Sequence, residues 1–126
     1  MTLKNIKILI CDDSILARKK LKDFLALLGC TQVIEASDGQ AAIDKYKNEN
    51  PDIVFLDIVM PLKDGISAVK EIIAYDPAAY ICMTSSVGTQ ENLKEALKSG
   101  ASDFIQKPLN NDMIIKVIEN KVKGGN

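Results

Sequence analysis

Ile53-Val54-Phe55-Leu56 is an unbroken apolar run, followed by a single carboxylate, Asp57. The run does not alternate, so it suits a strand covered on both faces, as in a parallel sheet. Four further runs share its character: Ile6–Cys11, Val33–Ala36, Tyr80–Met83 and Phe104–Ile105 with its flanks. The segments between them carry a helical period instead. From Ser14, apolar residues fall at Ala17, Leu21, Phe24, Leu25 and Leu28, a single helical stripe. Arg18, Lys19, Lys22 and Asp23 occupy the other faces. Ser14 is placed to cap that helix and Gly29 to end it.

The pattern repeats down the chain. Asp38 is placed to cap a second helix carrying Ala42, Ile43 and Tyr46, and Pro51 blocks its continuation. A third helix, with Ile66, Val69, Ile72 and Ile73, stops before Pro77. A fourth carries Leu93, Ala96 and Leu97 and ends at Gly100. A fifth begins near Asn110 or Asn111 and carries Ile114, Val117 and Ile118. Strand and helix thus alternate five times. Short connections and right-handed crossovers make this an α/β fold, a doubly wound five-stranded parallel sheet with helices on both faces. Such sheets bind ligands outside the carboxyl ends of their strands. The informative residues are therefore those at the strand ends.

Composition narrows the chemistry. The 126 residues hold 16 Lys+Arg against 17 Asp+Glu, three cysteines and no histidine. The length suits one domain over 1–126, with a core from about 5 to 122 and a short frayed tail. A net charge of −1 gives no pull toward nucleic acid or an anionic membrane. No apolar run approaches the ~20 residues that span a bilayer. The first residues also lack an apolar signal core, so the expected location is cytoplasmic. Without histidine, Ser-His-Asp, Cys-His and His-metal chemistry are excluded. Cys11, Cys30 and Cys82 share no C-x-x-C spacing and lie in or beside apolar runs, which suits buried free thiols.

The strand ends carry Asp12 and Asp13, then Asp57, then Thr84, Ser85 and Ser86, then Lys107 with Pro108. Singly, each is an ordinary turn or cap residue. The fold brings them to one rim. Three carboxylates there repel one another unless a cation joins them. Oxygen ligands without a soft donor point to a hard divalent cation, and Mg2+ also binds phosphate oxygens. With Lys107 as a second positive charge and a hydroxyl as donor, the set forms a phosphoryl site. Asp57 is placed to receive the group, because carboxylates can form aspartyl-phosphates.

These residues sit in five pieces: Ile8-Leu9-Ile10-Cys11-Asp12-Asp13-Ser14, Glu35-Ala36-Ser37-Asp38-Gly39, Leu56-Asp57-Ile58-Val59-Met60-Pro61-Leu62-Lys63-Asp64-Gly65, Ser85 with its neighbours, and Gly100-Ala101-Ser102-Asp103-Phe104-Ile105-Gln106-Lys107-Pro108. In this order and spacing the chain resembles a stand-alone response-regulator receiver domain, the phosphoacceptor of two-component signalling, of the chemotaxis type. The resemblance covers essentially the whole chain. It implies a (βα)5 flavodoxin-like fold with strand order 2-1-3-4-5. It implies Asp57 as the phosphorylated residue. Asp13 and Asp57 would bind Mg2+ directly and Asp12 through water, with the backbone carbonyl of Val59 as a further ligand and Mn2+ as an alternative ion.

The resemblance further implies that Lys107 contacts the phosphoryl oxygens and that the Lys107–Pro108 bond is cis. The Ser86 backbone amide joins the phosphoryl site. The switch hydroxyl is fifteen residues before Gly100, which is Ser85, with Thr84 beside it. Phe104 would be the switch aromatic. Val59 and Val87 flank the phosphoryl position, are apolar, and would tune its lifetime.

The expected function is a switch that accepts a phosphoryl group from a histidine kinase or phosphotransfer protein. Its fourth helix, fifth strand and fifth helix would then present a changed face to a target, a motor switch protein if the pathway is chemotaxis. Lys94, Glu95, Lys98, Lys116, Glu119 and Lys121 lie on that face. No nucleic acid or membrane partner is expected. The expected state is a monomer, with a weak helix–helix dimer as the alternative. Two other readings keep the same residues: a relay passing the phosphoryl group to another histidine protein, and a pseudo-receiver that acts without phosphate. An aspartate-nucleophile phosphatase would carry a second catalytic Asp at position 59, where Val stands. A flavin or nucleotide carrier would carry a glycine-rich loop after the first strand, where acids stand. The chain is thus expected to be a signalling protein rather than an enzyme.

Overall fold

The structure, a computed structural model, describes residues 3–86 and 90–124. Its strands are β1 (Lys7–Cys11), β2 (Gln32–Ala36), β3 (Ile53–Asp57), β4 (Ile81–Ser85) and β5 (Asp103–Gln106). Its helices are α1 (Ile15–Leu27), α2 (Gly39–Glu49), α3 (Gly65–Tyr75), α4 (Gln90–Lys98) and α5 (Asn111–Lys123). A short 3-10 turn over Leu3–Asn5 precedes β1, and no apolar pattern announces it. All strand pairs are parallel, in the order β2-β1-β3-β4-β5. This is the doubly wound sheet that the sequence pattern implies, in the flavodoxin-like order that the resemblance implies.

The unbroken apolar runs have a physical cause. Successive strand residues point to opposite faces, and both faces are covered. Leu9, Val54, Leu56, Ile81 and Met83 face α2, α3 and Ala96 of α4. Ile8, Ile10, Ile53, Phe55, Cys82 and Ile105 face Leu21 and Leu25 of α1 and Ile114, Val117 and Ile118 of α5. Ser14 and Asp38 cap their helices as expected, and Asp64 and Asn110 cap two more. Ser14 accepts from the Ala17 N–H, Asp38 from Ala41, Asp64 from Ser67 and Asn110 from Met113. All three cysteines are buried and unpaired with one another.

Three features differ from the sequence pattern. Strands β3 and β4 run on through polar residues: Asp57 closes β3, and Thr84 and Ser85 close β4, because the ladder still pairs Asp57 with Thr84 and Ser85 with Gln106. In α4 only Ala96 is buried, while Leu93 and Leu97 are 37% and 48% exposed. In α1, Leu21 and Leu25 are buried, whereas Ala17, Phe24 and Leu28 are only partly covered. Among the described residues no helix is long and apolar enough to cross a membrane.

Candidate functional site

The carboxyl ends of β1, β3 and β5 bring the acidic residues and Lys107 together. Asp12 and Asp57 are buried and Asp13 is exposed. One oxygen from each of the three carboxylates lies within 4.8 Å of the others. Lys107 Nζ donates to Asp12 Oδ2 at 2.6 Å and to Asp57 Oδ2 at 3.2 Å. A single ammonium thus bridges the two buried acids, and Coulomb attraction is stronger there than in open water.

The electrostatics follow from this crowding. Burial raises the Asp57 carboxyl above the usual carboxylate range. The Lys107 charge pulls it back down, the Asp12 charge pushes it up, and a hydrogen bond from the Val59 N–H lowers it. Burial pulls the Lys107 ammonium down. Its hydrogen bond to Asp12 and the charges of Asp57 and Asp12 outweigh burial, and leave it above its ordinary value. Lys107 is therefore a fixed cation at neutral pH.

Backbone links hold these groups in register. The Lys107 N–H donates to the Ser85 carbonyl at 2.7 Å, so the ends of β4 and β5 are tied. The Lys107–Pro108 peptide is cis. Behind Asp57, the Gly65 N–H donates to the Ile58 carbonyl at 2.7 Å. A Cβ on Gly65 would stand 2.1 Å from the Asp57 carbonyl oxygen, so α3 can begin this close only without a side chain there.

The two strand-four hydroxyls diverge. Thr84 lines a cleft of about 390 Å³ with Asp12, Leu16, Lys20, Lys107 and Pro108, on the α1 side of the sheet. Ser85 is fully buried and follows Met83 in the strand alternation onto the opposite face, the face of α3 and α4. Phe104 pairs with Met83 in register and is partly buried against that same layer. Ser86 is exposed just past β4. Val59 is 62% exposed on the loop after β3. Val87 lies outside the described residues.

One contributor escapes a reading by helix periodicity. Arg18 falls on the outer faces of the α1 pattern, yet its guanidinium turns back to the strand end and donates to the Asp12 carbonyl at 2.7 Å. The signal that could have found it is the Glu35 carboxylate on the adjoining strand, which takes the Arg18 Nε at 3.0 Å.

The donor set is three carboxylates, all hard oxygen, and among the described residues no cysteine joins it. It fits a divalent cation of the Mg2+ class. The sequence profile of the family described as "Response regulator receiver domain" matches residues 8–119. The chain is 44% identical over 112 residues to the chemotaxis protein CheY of Bacillus subtilis, covering 89% of this chain and 93% of that protein. It is 43% identical over 116 residues to CheY of Thermotoga maritima, covering 92% and 96%. Among solved structures, the CheX-CheY-BeF3-Mg+2 complex from Borrelia burgdorferi matches with a TM-score of 0.87 and 37% identity. That match covers 91% of this chain and 87% of that one.

Proposed function

The chain belongs to the response regulator receiver domain family, and on that premise we propose that it is a phosphoacceptor switch whose acceptor is Asp57. The observation that carries this reading is Lys107 Nζ lying between Asp12 and Asp57 where three carboxylates crowd within 4.8 Å. Asp13, Asp57 and the Val59 carbonyl would hold Mg2+, or Mn2+ in its place, with Asp12 acting through water. When bound, the ion supplies countercharge to the phosphoryl oxygens.

The phosphoryl group comes from a phosphohistidine on a kinase or phosphotransfer protein. The P–N bond breaks, a P–O bond to an Asp57 carboxylate oxygen forms, and the imidazole nitrogen keeps the electron pair. Lys107 holds the Asp57 carboxylate in place beforehand and is long enough to follow the new charge onto the phosphoryl oxygens. The added charge, about −2 at neutral pH, attracts the Ser85 hydroxyl and the Ser86 N–H. Ser85 and Phe104 share one face of the sheet, so movement of β4 opens or closes the space beside Phe104. The α4–β5–α5 surface then changes for a target. This is a shift between two packings driven by a local charge.

The 126 residues act as one receiver unit in the cytoplasm, a signalling protein whose chemistry is confined to its own aspartyl-phosphate. The similarity to CheY proteins supports a chemotaxis pathway, with a motor switch protein as target. Val59, and Val87 by its position in the sequence, tune how long the phosphoryl group lasts. The test is incubation with Mg2+ and acetyl phosphate, read by intact-protein mass. The expected result is a gain of one phosphoryl group, absent in Asp57→Asn and absent with chelator. An unlabelled wild type, with a cognate kinase also present, would overturn the reading in favour of a phosphate-independent module.

A further inference from the structure

We propose that Arg18 is a positioning residue for the cation site: its guanidinium braces the Asp12–Asp13 peptide against the edge strand β2. This rests on the reading that Asp12, Asp13 and Asp57 hold a divalent cation.

Asp12 is bonded at each of its polar atoms. Its N–H donates to the Ala36 carbonyl at 3.1 Å. Its Oδ1 accepts from the Ser14 N–H at 2.9 Å and its Oδ2 from Lys107 at 2.6 Å. Its carbonyl accepts from Arg18 Nη1 at 2.7 Å. The same guanidinium donates through Nε to Glu35 Oε1 at 3.0 Å, and Lys22 lies 3.5 Å from the other Glu35 oxygen. The Arg18 side chain is mostly covered, at 15% exposure. Arg18 is thus a two-armed strut from β2 to the end of β1.

Asp13 explains what the strut is for. Its carboxylate is exposed and, among the described residues, makes no hydrogen bond or ion pair of its own. It is nevertheless one of the three convergent acids. Its placement therefore comes from the backbone. The peptide unit is planar, so fixing the Asp12 carbonyl fixes the plane that carries Asp13. A guanidinium presents its donors in a rigid planar fork that fixes the direction of both arms, whereas an ammonium is a point charge on a flexible stem.

Charge alone predicts the opposite sign. A cation beside a cation site repels the ion, so deleting Arg18 as a mere charge would tighten Mg2+ binding. Deleting it as a positioning residue would weaken binding, by roughly the tenfold lower bound found when residues supporting metal ligands are lost. The experiment is calorimetric titration of Mg2+ into the intact wild type, Arg18→Gln, Arg18→Lys and Asp13→Asn, with the apo unfolding midpoint measured for each. Expected are loss of binding in Asp13→Asn, a roughly tenfold loss in Arg18→Gln, and an intermediate loss of about threefold in Arg18→Lys, which keeps the charge but only one arm. Arg18→Lys also serves if the Gln variant fails to fold. Wild-type-like or tighter binding by the folded Arg18 variants overturns the strut alone. A wild type that takes no Mg2+, or an Asp13→Asn that binds as well as wild type, overturns the cation-site reading and the strut with it.

Discussion

The two sides of the site rim are built differently. On the β1–α1 side, Asp12 is bonded at each polar atom, Ser14 caps the helix, and Leu21 and Leu25 anchor it in the core between the sheet and α5. On the β4–α4 side, a helix of nine residues buries only Ala96. Cation and acceptor chemistry depends on groups held to a fraction of an ångström, so rigidity belongs where the acids are. Elements that move are drawn from the weakly packed end of a fold, so a thinly anchored α4 suits the side proposed to transmit the change.

The largest test of this contrast is truncation on each side. Leu25→Ala, at a fully buried position, is expected to destabilise by about 3 kcal/mol. Leu97→Ala, nearly half exposed, is expected to cost less than about 1 kcal/mol. Chemical denaturation of both variants would erase the contrast if the two costs were equal.

A smaller effect of opposite sign sits on the loop between the two sides. Leu62 has φ +65°, is 88% exposed, and centres a turn in which the Lys63 N–H donates to the Pro61 carbonyl at 2.7 Å. Left-handed backbone costs a leucine about 1–2 kcal/mol, and a glycine there costs up to about 1 kcal/mol in extra chain freedom. Leu62→Gly is thus expected to gain about 0.5 kcal/mol in thermal unfolding; a loss would show that the loop is as firmly packed as the β1 side. Val59→Asn is expected to act on a rate and not on stability. An amide beside the acceptor can orient an attacking water, so the dephosphorylation rate is expected to change two- to fivefold, below about 1 kcal/mol in barrier. An unchanged rate would mean that this loop sets no part of the phosphoryl lifetime.

Much of the fold was legible in the residues because burial on both faces leaves no alternation to disguise. The five runs and the meeting of Asp12, Asp13, Asp57 and Lys107 follow from that, and the caps Ser14 and Asp38 from the polar residue before each helical stripe. Strand ends were not legible to the residue. Asp57 and Ser85 read as loop residues by polarity, while the backbone ladder continues through them. The exposure of Leu93 and Leu97 was hidden too, because their spacing matches that of a fully buried stripe. What differs is how α4 seats on the sheet, which is set by other elements. Arg18 was hidden for the converse reason: a long side chain leaves the face its Cα occupies, and only the distant Glu35 discloses where it goes.

The buried thiols have a practical consequence. Cys11, Cys30 and Cys82 are all enclosed, burial raises each thiol above its ordinary value, and the chain has no tryptophan. Its surface is therefore blank both to thiol-reactive dyes and to indole fluorescence. One cysteine or one tryptophan placed at Leu97 would speak without background, and would report the seating of α4 alone.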